Sequence, residues 1–336
     1  MNSESTKPKE PQSILRRFTT IRDAPSYLEG LGWGAASILM VAFVWWFLTA
    51  GELPIIDTYT LPSIGQTFAS IPELWFQREL SISAITSLAR VVAGFAVAAA
   101  VAVPLGVIAG SYPRLNAFLK PMSLFGRNVP IAALIPLTLM WFGIDEVQKV
   151  MFIFLASVAF VLFDTTNAVM AVPDRFLDTG YTLGVHHTPK KGAILSSWFG
   201  LGYGAAALAG AWWMGSSLSS PTLWVKITAC LVTGFVLWYP IMSHQALRKV
   251  LLPLALPDIA NSLRLIFGLA FGYIMLAEVI NARHGLGSLI IMSQRQGPRE
   301  HVYLCLLIIS LLAWGIDRLI MLAQRQLFPY MKHGQS

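Results

Sequence analysis

Residues Phe176–Thr188 read FLDTGYTLGVHHT, and residues Gln245–Pro257 read QALRKVLLPLALP. Both stretches are bordered by long apolar runs, with cations close by at Arg175, Lys190, Lys191, Arg248 and Lys249. Gly184 in the first and Pro253 in the second stand 69 positions apart, and two further apolar runs lie between them. Glycine admits backbone turns closed to other residues, and proline stops or redirects a helix. The two stretches therefore read as connecting segments hung between membrane spans.

The composition agrees. Of 336 residues, 55% are hydrophobic and 12% charged, whereas a soluble domain carries about 25% charged residues. The chain reads as an all-α polytopic membrane protein. Its net charge of +7 is the signature of cation-rich cytoplasmic loops and does not call for nucleic acid. Cys230 and Cys305 both fall in apolar runs, so no disulfide framework is expected. The basic N-terminal stretch (Lys7, Lys9, Arg16, Arg17, Arg22) lacks an apolar core followed by a small-residue cleavage site, so the first apolar run is expected to be an uncleaved span.

A span needs roughly 20 apolar residues to cross about 30 Å of hydrocarbon. Eight runs qualify: 32–51, 86–110, 129–143, 148–171, 192–214, 222–243, 261–280 and 302–322. The third is short and interrupted by Pro130 and Pro136, so it is expected to bend or to begin before Asn128. A cytoplasmic N-terminus places 111–128 (Arg114, Lys120, Arg127), both quoted stretches and the tail with Arg325 and Lys332 inside. Arg78, Lys149, Arg283, Arg295 and Arg299 are left outside, in keeping with the positive-inside rule. The external segment 52–81 contains apolar residues at partly helical spacing from Leu61 to Leu74. That pattern fits a short helix at the outer surface, or a simple linker.

Ionisable residues within spans are candidate functional groups. Asp164 and Glu278 are the candidate passage-lining residues. Asp164 also fits the inner interface, and Glu278 a solvated outer end. Asp317 and Arg318 read as an ion pair or snorkelling groups, and Arg90 as a helix-end anchor. The sequence has no Gly-x-x-x-x-Gly-Lys-Ser/Thr loop, no His-Glu-x-x-His and no Cys-x-x-Cys, so no catalytic residue, metal ligand or nucleotide cradle is assigned. His186-His187 reads as a solvated loop pair.

Joined end to end, the two quoted stretches resemble the cytoplasmic coupling loop of binding-protein-dependent ABC transporter permeases. The family's Glu-Ala-Ala appears as Asp178-Thr179-Gly180, its glycine as Gly184, and its Leu-Pro as Leu252-Pro253 after Arg248 and Lys249. These residues alone also fit an ordinary loop. Further matches occur in the family's order: Leu61-Pro62-Ser63, Thr86 to Phe95, Pro104-Leu105-Gly106, Pro130 to Leu137, Trp141 to Ile144, Ala277 to Ile280 and Gly285 to Gly287. They are most similar to the nitrate, sulfonate, taurine and bicarbonate branch. Removing the 56 residues Pro189–His244 restores the family spacing between Gly184 and Pro253.

That resemblance implies a six-span permease core with a two-span inserted hairpin. Its parts would be a cytoplasmic tail (1–30), a first core part with four spans (31–188), the hairpin (189–244), the second half of the coupling loop with the last two spans (245–325), and a tail (326–336). It implies residence in a bacterial cytoplasmic (inner) membrane with both termini inside. The expected partners are cytoplasmic ABC ATPase subunits, an external substrate-binding protein and a second permease chain, as a homodimer. ATP and Mg would reside on the ATPase, with no cofactor on this chain. The alternatives are an ion-driven secondary transporter and a non-transporting membrane scaffold.

Overall fold

The computed structural model describes residues 26–50, 56–57, 60–185, 244–280, 283–296 and 298–329. All regular elements among them are helical. Residues 189–243 of the predicted hairpin and His186-His187 lie outside the described residues.

The first unit, ending at Thr67, holds α1 (Tyr27–Thr49). Ser26 starts it with a capping box: its hydroxyl accepts from the Glu29 N–H, and the Glu29 carboxylate accepts from the Ser26 N–H. These reciprocal bonds satisfy two of the orphan donors at the helix start. The helix is apolar on all sides, as a lipid-embedded span requires. Ser63 caps α2 (Ile64–Ala69) in the same way, with Gln66 as its partner.

The second unit, from Phe68 onward, contains the remaining elements. These are α3 (Ile71–Phe76), α4 (Leu80–Ser111), α5 (Pro113–Asn128), a 3₁₀ turn (Ile131–Ala133), α6 (Leu134–Phe142), α7 (Glu146–Met170) and α8 (Asp174–Thr182). A π-turn (Leu247–Leu251) then leads into α9 (Leu252–Glu278), followed by α10 (Leu286–Gln296) and α11 (Arg299–Leu327). Across both units, five described helices are long and apolar enough to span, or six if the bent pair α5–α6 makes one crossing. The chain is an all-α polytopic membrane protein.

The stretch 111–128, expected as a loop, is helix α5. Pro113 stands in its first turn, where the missing N–H costs nothing and the fixed φ favours helix. Helix therefore starts well before Asn128, and the α5–α6 pair bends by 87°. The bend has a local cause. Val129 precedes Pro130 and is held extended at φ −66°, ψ 127°, since a residue before proline is driven out of the α region. The outer segment, expected as one helix or a linker, forms the two short helices α2 and α3.

Helices α4 and α7 pack closely along small residues at every fourth position of α4: Gly94, Ala98, Ala102, Gly106 and Gly110. A Cβ at Gly94 would come within 2.6 Å of the Val150 carbonyl oxygen, and one at Gly106 or Gly110 within 2.7 Å of Thr165 Cβ or Val169 Cβ. Small residues let backbones approach where burial against lipid supplies no drive. Leu247, Leu251, Leu252, Ala255 and Ile259 join the core around this pair at one end. Leu74, Leu80, Leu286, Leu289 and Leu304 form another core at the opposite end.

Candidate functional site

The two halves of the split motif meet at one end of the second unit. Helix α8 ends in a Schellman turn. The Val185 N–H donates to the Gly180 carbonyl at 3.0 Å and the Gly184 N–H to that of Tyr181 at 3.1 Å. Gly184 sits at φ +88°, a left-handed conformation that glycine adopts without a Cβ penalty. Gly180 is buried against the second half: a Cβ there would approach Val250 Cγ2 to 3.0 Å. Asp178, Thr179, Arg248, Lys249 and Pro253 are exposed, while Leu247, Leu251 and Leu252 anchor the π-turn in the core. The result is a polar, mixed-charge surface on a rigid apolar footing.

The π-turn gives the second half its shape. Pro253 and Pro257 lack the N–H groups that continue an α-helical ladder, and the wider π-turn lies just ahead of Pro253. Beside it, His244 packs edge-on to Tyr112, and the Tyr112 hydroxyl lies 3.0 Å from His244 Nε2. Burial holds the His244 imidazole below its usual pKa. Burial, with the Tyr181 charge, raises the Tyr112 phenol above its own. Nothing in the sequence marks Tyr112 or His244, because no spacing rule pairs residues so far apart.

At the opposite end, Glu278 and Arg90 form the buried centre of a polar cluster whose outer member, Glu146, is exposed. Arg90 Nη1 donates to Glu278 Oε1 at 2.7 Å and to the His284 carbonyl at 2.7 Å. Its Nε and Nη2 grip Glu146 in a fork at 2.5 and 2.7 Å, and Lys149 Nζ lies 3.0 Å from Glu146. The Ser87 hydroxyl lies 2.7 Å from Glu278 Oε1 and accepts from the Leu286 N–H at 2.9 Å, while the Gly287 N–H donates to Glu278 Oε2. Glu278 is 0% exposed and Arg90 5%. A solvated Glu278 is thus not what the fold provides. Gly285, at φ +145°, leaves room for its carboxyl group, which a Cβ there would approach within 2.5 Å.

Asp164 is half buried on α7 and feels the charge of Arg127. Arg127 lies 4.0 Å over the Phe163 ring. Asp317 pairs with Arg264 of α9 at 3.2 Å, and Arg318 lies 5.5 Å from the Trp314 ring centre. The sequence thus identified the ionic character of Asp317 but not its partner.

Comparison with known proteins follows the same outline. The model of the family "Binding-protein-dependent transport system inner membrane component" matches residues 102–189 and 241–333, more than half of the chain, with a break over 190–240. The taurine transport system permease protein of Escherichia coli is 24% identical, over 90% of this chain and 89% of its own length. The bicarbonate transport system permease protein of Synechococcus elongatus is 23% identical, over 74% and 69% respectively. With several spanning helices, a motif rejoined in space and a family match on both sides of the interruption, the chain belongs to the binding-protein-dependent transport system inner membrane components, as a multi-pass permease of ABC type.

Proposed function

We propose that this chain is the passage-forming subunit of an ATP-driven importer for a small anion of the sulfonate, taurine, nitrate or bicarbonate kind. Two copies would line the passage, cytoplasmic ATPases would dock from within, and an external binding protein would deliver the substrate. The observation that carries the reading is the contact of Gly180 with Val250. It joins the two motif halves into one exposed surface carrying Asp178, Thr179, Arg248 and Lys249. Movement of a docked ATPase would pass through Leu247, Leu251 and Leu252 to α4, α7 and α9. Asp164 and Glu278 are the candidate passage residues of this reading, and Glu278 would reach a passage only after parting from Arg90. Lys and Arg placement favours a cytoplasmic motif end and cytoplasmic termini.

Pro189–His244 is proposed as a transmembrane hairpin at the permease edge. The break in the family match over 190–240 supports an insertion there. Cysteine labelling of Ser217→Cys from the cytoplasmic side only would overturn the hairpin.

The docking proposal is tested by purifying the tagged chain with its candidate ATPase and cross-linking from Asp178→Cys and Arg248→Cys. Cross-links to the ATPase at both positions are expected. A stable complex lacking any ATPase, with no cross-link, would reject the importer. One observation favours ion-driven transport, namely the buried Arg90–Glu278 pair, since coupled intramembrane charges mark proton and ion relays. Uptake that survives ATP depletion and collapses with the ion gradient would select that reading.

A further inference from the structure

Helix α10 joins two spanning helices, α9 and α11. It has 11 residues and a length of about 16 Å, too short to cross a bilayer. It covers the ends of α4 and α9. Leu286 and Leu289 pack among Leu80 of α4, Leu74 of α3 and Leu304 of α11. A Cβ at Gly287 would come within 2.9 Å of the Met275 carbonyl oxygen, so α10 rests directly on α9. Its other face, with Met292, Gln294 and Arg295, is exposed.

Two fastenings hold α10. The first is a buried latch at its N-terminus. The Ser87 hydroxyl accepts from the Leu286 N–H at 2.9 Å, Glu278 Oε2 accepts from the Gly287 N–H at 3.0 Å, and Arg90 Nη1 donates to the His284 carbonyl at 2.7 Å. The first N–H groups of a helix have no partner within it, and a carboxylate is favoured at that positive end of the dipole. The second fastening is a strap from the segment before α4. Glu73 lies 3.5 Å from His301 Nε2 at the start of α11, the Arg78 guanidinium donates to the Gln296 side chain at the end of α10, and Glu79 lies 3.5 Å from His284 Nδ1 ahead of α10. Glu73, Glu79, His284 and Gln296 are exposed, so water competes for the strap. Glu79 is held at φ 51°, ψ 45°, a left-handed conformation that is costly for a residue with a Cβ and persists only where its surroundings over-determine it.

The joint beneath is of another kind. Helix α4 closes on α7 along Gly94, Gly106 and Gly110 with atoms in direct contact, leaving nothing for water to replace. Around its leucines, α10 is held by hydrogen bonds and exposed ion contacts, which water takes over once the helix lifts.

We propose that α10 is a lid on the end opposite the motif, latched by Ser87, Arg90 and Glu278 and strapped by residues 73–79, which lifts while α4, α7 and α9 stay packed. Arg90 and Glu278 are then positioning residues for α10. As the gate of an import path the lid rests on the function proposed above. As a separately opening unit it stands on its fastenings.

Amide hydrogen exchange of the full chain in phosphatidylcholine nanodiscs, read by mass spectrometry, tests the lid. In the native chain, residues 287–296 should exchange faster than 94–110 of α4 and 150–169 of α7. Ser87→Ala leaves the Leu286 N–H without its acceptor and should speed exchange in α10 about tenfold, with α4 and α7 unchanged. Thr86→Ala is the control, since the Thr86 hydroxyl bonds the Ile82 carbonyl of its own helix, and should match the native chain throughout. Exchange of α10 at the pace of α4 and α7, or an α10 indifferent to Ser87→Ala, would overturn the lid. Its use in transport is tested by tying the end of α10 to the foot of α4. Arg78→Cys and Gln296→Cys, in a chain with Cys230→Ala and Cys305→Ala, are joined by a reducible bismaleimide. Taurine uptake is followed in proteoliposomes with the candidate ATPase and external binding protein, and should be lost on joining and return on reduction. Undiminished uptake by the joined chain would overturn the gate. An unjoined chain that imports nothing, with Ser87-dependent exchange of α10 intact, would reject the importer and leave the lid standing.

Discussion

Gly180 on α8 lies in contact with Val250 of the π-turn, although the two stand on opposite sides of the interruption in the chain. A Cβ at Gly180 would stand 3.0 Å from Val250 Cγ2, so a methyl group asks the stiff, β-branched Val250 side chain to give by a few tenths of an ångström. A larger group does not fit. Gly180→Ala should keep near-native stability and ATPase association. Gly180→Leu should overpack the joint, at a cost of about 1–3 kcal/mol, and should weaken association first. Pull-down of the ATPase beside a thermal melt separates the two effects. Native association in a folded Gly180→Leu protein would mean that docking does not depend on this joint.

Arg90 and Glu278 lie too deep for solvent to replace either partner. Arg90→Leu leaves the Glu278 carboxylate buried with only Ser87 and Gly287 to bond it. Breaking a buried pair from one side costs about 3–5 kcal/mol. Arg90→Lys keeps the charge but loses the fork on Glu146 and should fall between. Unfolding in mixed detergent–SDS micelles measures the order: native, then Arg90→Lys, then Arg90→Leu. The reverse order would show that charge burial does not dominate here.

Gly285 and Gly184 both adopt positive φ, yet alanine should affect them unequally. At Gly184 an added Cβ would meet no atom within 4 Å, so Gly184→Ala should cost only the left-handed penalty, about 1 kcal/mol. At Gly285 the Cβ would also run into the Glu278 carboxyl group. Gly285→Ala should therefore lower the unfolding midpoint more than Gly184→Ala. Equal midpoints would place Glu278 elsewhere.

His244 gives the motif end a pH dependence. Burial depresses its folded pKa, so near the ordinary value of about 6.5 the unfolded chain binds more protons than the folded one. Stability then rises with pH across that window. The contribution is fully present above the ordinary histidine value and is lost as pH falls towards the depressed one. Melts at descending pH should show the native protein losing more than His244→Gln. Parallel curves would remove His244 as the cause.

How much of this is legible in the sequence depends on the range of each interaction. The spans and the polar stretches are local signals: apolar run length, cation placement and proline position act within a few residues. They foretell where the described spanning helices run, though not how far α9 and the third crossing extend. Helix α5 escapes them because its mixture of cations and apolar residues reads as a loop when judged by apolar length alone. The α4 stripe from Gly94 to Gly110 is legible at helical spacing, but only a facing α7 gives it meaning. Tyr112–His244 and Arg264–Asp317 leave no readable trace, since each joins elements far apart in the chain.

The amino-acid sequence by itself determined that this chain crosses a membrane as helices and that the two halves of its motif stand far apart in the chain. Composition and order suffice for both, because hydrocarbon demands apolar runs with internally satisfied backbones. The tertiary structure decided that Gly180 meets Val250 and that Glu278 is sealed against Arg90. Those outcomes depend on which helix faces meet, and close packing around small residues fixes that only once the chain has folded.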